Sequence, residues 1–147
     1  MPLEDYIDDL KPLCVYALGK DWAYAAAICE RESGGNEWAI GDSGAARGLW
    51  QMHADFVATY VTHFSQSGTV LVEHHDTFVQ AEPLKRFWNS FAPDFDRKER
   101  LRIYHYGATG AERLSHTDDP DPDGYVDSVM EIFASIPQPK PDKASKK

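Results

Sequence analysis

A glutamate that closes the apolar face of a helix, next to a glycine-rich turn, is placed to transfer protons. Residues Cys29 to Met52, reading CERESGGNEWAIGDSGAARGLWQM, offer that combination. The preceding Ala25-Ala26-Ala27 favours helix and Gly34-Gly35 supplies the residues that commonly end one, so Glu32 falls in a last helical turn. At about 100° per residue, Trp22, Ala25, Ile28, Cys29 and Glu32 share one arc of roughly 120°, and Glu30 points away from it. A carboxyl group held against apolar side chains near the negative end of a helix dipole loses solvation of its charged form, and its pKa is expected to rise. A general acid working near neutral pH needs that rise. A glutamate near a helix end is more commonly a solvated surface residue, so the neighbours must carry the distinction.

The elements that would position this group read mainly as helices. Leu3 to Leu10 has Leu3, Tyr6, Ile7 and Leu10 on one face, and Pro12 fits the first turn of a second helix through Leu18. Asp21 is placed to N-cap the third, Trp22 to Ser33. Four glycines between Gly34 and Arg47, with a fifth at Gly48, predict a loop or small hairpin. Helical spacing resumes from Asp55 to Phe64, and after a polar turn at 65–68 from about Val70 to Phe91, with a kink or break at Pro83. Asp94 to Tyr106 is another helix, ended by Gly107 and Gly110; a turn region from Ser115 to Asp123 leads to the last, Gly124 to Ile136. Residues 1–136 therefore predict one helical domain, and 137–147 a flexible tail rich in proline and lysine.

Composition narrows the partners. The net charge is −9 in a chain of 147 residues, and four of the last eight residues are lysines against one aspartate, which leaves the body strongly acidic. Such a surface repels phosphate backbones and anionic headgroups, disfavouring nucleic acid and membrane surfaces as partners. No apolar run approaches the length of a membrane span, so no membrane insertion is expected. A largely neutral polymer, read by hydrogen bonds and aromatic stacking, fits better. Cys14 and Cys29 permit at most one disulfide, and two buried free thiols are the expectation.

Glu32-Ser33, then Gly44-Ala45, then Gly48-Leu49-Trp50-Gln51-Met52, then Tyr104-His105-Tyr106-Gly107, then Tyr125-Val126, follow one another in an order and spacing that resembles the soluble lytic transglycosylase family of the lysozyme superfamily. The resemblance covers residues 22–136. It implies a lysozyme-like helical domain whose cleft binds peptidoglycan glycan strands as a monomer and without a cofactor. Glu32 falls on the family's catalytic acid/base. It would protonate the glycosidic oxygen and then take a proton from the sugar 6-hydroxyl, closing a 1,6-anhydro ring, so a partner carboxylate is not required. The same match implies substrate contacts for Ser33, Gly48 and Gln51, and a Tyr104 hydroxyl that orients the acid. This chain departs from the family at Trp50, where methionine is usual, and at His105, where asparagine is usual.

Two further features stay open at this level. Gly41-Asp42-Ser43-Gly44 also resembles the glycine–aspartate element of goose-type lysozymes, which implies a second carboxylate, Asp42, activating water for inverting hydrolysis; an ordinary turn aspartate is the alternative. Trp38, Trp50, Tyr60, Trp88 and Tyr106 offer apolar rings for sugar stacking, with Trp38 and Trp50 flanking the glycine-rich loop as the best candidates. No metal is expected. Asp119 to Gly124 opens like a calcium loop but has Met130 at its twelfth position, and Glu73-His74-His75-Asp76 lacks zinc-ligand spacing. The first residues, Met1 to Asp5, do not read as a secretory signal. With the resemblance, the expectation is action at the bacterial cell wall or periplasm by a phage-encoded protein, released by a holin or carried in the virion. A catalytically silent glycan-binding or virion module of the same fold is the rival expectation.

Overall fold

The computed structural model describes residues 2–60 and 77–137, and over them the chain is mainly helical. The helices are α1 (Ile7–Leu18), α2 (Trp22–Ser33), α3 (Ala54–Tyr60), α4 (Thr77–Asn89), α5 (Arg97–Leu114) and α6 (Tyr125–Ser135). Of the loop or small hairpin expected here, the chain forms the hairpin: strands β1 (Ile40–Gly41) and β2 (Ala46–Arg47) pair antiparallel, with Ile40 opposite Arg47. The predicted turn at 65–68, the Glu73–Asp76 string, residues 61–64 of the fourth predicted helix and 138–147 of the tail lie outside the described residues.

Helix α2 is the spine. Trp22, Ala25, Ile28 and Cys29 are buried as their spacing predicts, but Ala23, Ala26 and Ala27 on the other faces are buried too. Methyl side chains let α1 and α6 approach α2 closely, and both helices pack on it. Around this spine lie Cys14, Val57, Leu84, Trp88, Leu101, Tyr125 and Val129, all buried. The two cysteines are free and buried, as expected, and burial pushes the Cys29 thiol up to about 12.

Several boundaries differ from the sequence reading. Leu3–Asp5 is a short 3₁₀ turn, and α1 then runs through Pro12 without a break. The amide that Pro12 lacks would have bonded the carbonyl of Asp8, an exposed first-turn residue that water can serve. Pro83 likewise sits inside α4, where its ring is fully buried, so packing offsets the lost hydrogen bond. Gly107 does break the regular dihedrals, with φ 76° and ψ 162°, but α5 resumes after it to Leu114. Asp21 occupies the N-cap position of α2 as expected, but its side chain makes no capping hydrogen bond. Its carboxylate instead accepts from Trp88 Nε1 at 2.9 Å and Arg97 at 3.2 Å, tying the start of α2 to α4 and α5.

Candidate active site

Helix α2 ends where the sequence places its end: Gly34 takes the left-handed conformation at φ 60°, and its amide bonds the Glu30 carbonyl. Glu32, half-buried in that last turn, enters a cleft of about 560 Å³ that it shares with Arg31, Asp42, Gln51, His53, Tyr104 and His105. Glu30 faces the opposite way, yet it is not a free surface residue, because the Tyr6 hydroxyl donates to its carboxylate. A larger cavity among the described residues, about 1180 Å³, lies on that Tyr6 side and is not lined by Glu32.

The carboxyl of Glu32 accepts a hydrogen bond of 2.9 Å from the hydroxyl of Tyr125, which is buried at the start of α6. Burial raises the pKa of Glu32. The Tyr125 hydrogen bond and the nearby His105 and Arg31 oppose that rise, and Asp42 adds to it, but the net shift is upward. The sequence match assigns the orienting hydroxyl to Tyr104, and here the structure differs. Tyr104 donates to the backbone carbonyl of Trp50 at 2.7 Å, so it braces the glycine-rich segment, while Tyr125 holds the acid. Tyr125 belongs to the motif series read from the sequence, but its role depends on a contact across 93 positions that local pattern does not encode.

The segment after α2 is held by its own backbone and by side chains that reach its carbonyls and amides. The Gly48 amide donates to the Ala39 carbonyl at 3.0 Å, with φ 80° at a position that favours glycine. Gln51 Nε2 donates to the carbonyls of Ala39 and Gly48, both at 3.0 Å, and so staples the hairpin to the following turn while lining the cleft. A Cβ at Gly41 would lie 2.5 Å from Gln51 Oε1, so the glycine there permits that staple. Gln80 of α4, to which no sequence motif points, is fully buried and completes the frame, accepting from the Trp50 amide at 3.1 Å and donating to the Arg47 carbonyl.

Three expected substrate contacts are corrected. Trp50 is fully buried, its Nε1 donating to the Ala25 carbonyl at 2.9 Å, so its ring packs the hairpin segment onto α2 and meets no ligand. Trp88 is buried as well. Ser33 does not line the Glu32 cleft; its hydroxyl donates to the Leu49 carbonyl at 2.7 Å and the Cys29 carbonyl at 3.1 Å, locking the helix end to the loop. Trp38 stays 68% exposed on the hairpin side, the most exposed of the aromatic candidates. Tyr60 packs against Phe56 and Phe87, and Tyr106 donates to Asp121 and Asp123.

Asp42 does share the cleft with Glu32, in a left-handed conformation at φ 49°, and pairs with His53 at 2.8 Å. His105 lies flat on the Tyr125 ring, 4.0 Å between centroids and 4° between planes, with Nε2 2.5 Å from Asp123. The calcium-like string is engaged by protein donors: Asp121 accepts from the amides of Val126 and Asp127 at the start of α6, and Asp119 from that of Asp121. Among the described residues no cluster of three or more His, Cys, Asp or Glu is arranged to hold a metal ion, and none of their helices is long and apolar enough to cross a membrane. The arrangement can donate a proton from one carboxyl group to a ligand in the cleft and receive one back. No protein-family model, curated protein or solved structure matches the chain.

Proposed function

We propose that this chain cleaves the β-1,4 bond between N-acetylmuramic acid and N-acetylglucosamine in peptidoglycan, as a lytic transglycosylase. The observation that carries this reading is Glu32: a carboxyl of raised pKa at the end of a buried helix, gripped by a tyrosine hydroxyl, inside a cleft. Glu32 gives its proton to the bridging oxygen as the C1–O bond breaks and the bonding electrons pass to that oxygen. The 6-hydroxyl of the same sugar then attacks C1, and its proton returns to Glu32. No cofactor takes part in these steps. The exposed Trp38 on the hairpin offers an apolar ring for sugar stacking.

Asp42 supports a second reading, inverting hydrolysis, because it shares the cleft with Glu32 and is a carboxylate that could activate water on the opposite face of the sugar. Mass spectrometry of digested cell walls separates the two. Fragments lighter by one water and lacking a reducing end are expected; reducing-end fragments bring Asp42 forward. Glu32→Gln is expected to lower the rate by roughly 10²–10⁴-fold. Undiminished wall clearance by that variant overturns the assignment, and a parent that binds walls without cutting them identifies a silent glycan-binding or virion module instead. Chitin oligomers assayed in parallel test whether the N-acetyl groups alone suffice for recognition.

A further inference from the structure

We propose that Asp123 is the positioning residue of this site, fixing His105 and Tyr125 together and, through them, the orientation of the Glu32 carboxyl. The inference rests on Glu32 being the general acid. Asp123 lies in the turn before α6 and uses both oxygens: Oδ2 holds His105 Nε2 at 2.5 Å, and Oδ1 accepts from the Tyr106 hydroxyl at 2.5 Å and the Tyr125 amide at 3.1 Å. Its bonds from Tyr106 and His105 hold its carboxyl below the usual carboxylate range although partial burial pushes it up. An ionised carboxylate only accepts, so His105 Nε2 carries the hydrogen and the plane of the imidazole is set.

That plane is the one stacked on Tyr125, whose hydroxyl donates to Glu32. Asp123, His105, Tyr125 and Glu32 are thus joined by successive contacts, each restricting the next group. Folding of α6 does not account for all of them. Asp121 serves the amides of Val126 and Asp127, and the Oδ1 atom of Asp123 serves that of Tyr125, which leaves Oδ2 with His105 as its hydrogen-bond partner. The side chain of Asp123 is 51% exposed, so this is a rim group reaching inward along the run.

The test is the pKa of Glu32, followed by carboxyl carbon NMR in the full chain and requiring no substrate. Groups facing Glu32 are Tyr125 from α6, Tyr104 and His105 from α5, Arg31 from α2 and Asp42 from the hairpin segment. Asp123→Asn removes a negative charge, which by charge alone lowers the Glu32 pKa; loosening the Tyr125 hydrogen bond raises it. A rise of about half a pH unit or more is expected, because the Tyr125 hydrogen bond is made to Glu32 itself, whereas Asp123 is not among the charges acting on it. The falling, alkaline limb of kcat/KM should move up with it, with kcat down about tenfold and KM within about twofold. In the Tyr125→Phe background the same substitution should raise the pKa no further, leaving only the lowering from the lost charge, since the rise acts through one contact. A lowered or unmoved Glu32 pKa, or an additive shift in the double variant, overturns the proposal. Asp123→Ser retains an acceptor for the Tyr125 amide, and the same rise is expected of it if the asparagine variant does not fold. Failure of the parent to cleave walls overturns the functional reading while the titration still decides the role of Asp123.

Discussion

Glu32 is pulled in opposite directions, upward by burial and downward by the hydroxyl that grips it, and the upward pull prevails. The consequence reaches beyond the proposed catalysis. With its folded pKa above the ordinary value of 4.5, the unfolded chain releases this proton first as pH rises, so the folded state loses stability from about there up to the folded pKa. Glu32→Gln removes that loss and keeps an oxygen for Tyr125 to donate to. The variant is expected to match the parent in thermal unfolding near pH 3.5, below the titration window, and to melt higher than the parent at pH 7, measured by circular dichroism at both pH values, even as activity disappears. Equal melting at pH 7 would mean that Glu32 carries no desolvation cost. The location of this residue is legible in the sequence because helical periodicity and a glycine stop are local properties. Its hydrogen-bond donor is not: Tyr104 and Tyr125 both reach the hairpin end of α2, and only three-dimensional packing decides which hydroxyl meets the acid and which meets the Trp50 carbonyl.

The glycine-rich element works as a folded bracket, with Gln51 as its clasp. Gly41→Ala puts a methyl group where Gln51 Oε1 now sits, at 2.5 Å, and the flexible amide side chain must yield. Activity is expected to fall by about ten- to a hundred-fold through misplacement of the bracket, since small displacements of positioned groups are costly. Melting temperature should drop by only a few degrees, because the hairpin lies outside the α2 core. A large loss of stability with intact activity per folded molecule would refute the clasp. That such a bracket exists is readable from five glycines in one stretch. Sequence misleads at this scale where proline and glycine stand inside helices: burial of Pro83 and the resumption of α5 beyond Gly107 reflect tertiary packing overriding local breakers. Trp50 misleads for a related reason: a tryptophan beside a loop looks the same in sequence whether its ring faces a ligand or fills the core.

At the scale of the whole molecule, the proposed function requires a body of net charge −9 to approach a wall that itself carries carboxylates. Raising salt from about 20 to about 150 mM shortens the screening length to about 8 Å and should speed cleavage of intact cell walls while leaving any turnover of neutral chitin oligomers nearly flat. An opposite trend on walls would point to a local positive patch dominating the approach. Charge balance is a sum over the sequence and needs no structure, whereas ties such as Gln80 to Trp50 or Arg97 to Asp21 join distant segments and leave no local signature. The alanines of α2 have a different kind of reach. Because Ala23, Ala25, Ala26 and Ala27 are buried on every side of that helix, its spacing from α1 and α6 is gauged by single methyl groups, and larger side chains there would wedge Tyr125 away from Glu32. Descendants of this chain are therefore free to diversify at the hairpin rim, where Trp38 and Ile40 are exposed, and to drift in what they grip. The mount of the acid admits almost no such exploration, so innovation in this protein should come from the bracket and leave the spine as it is.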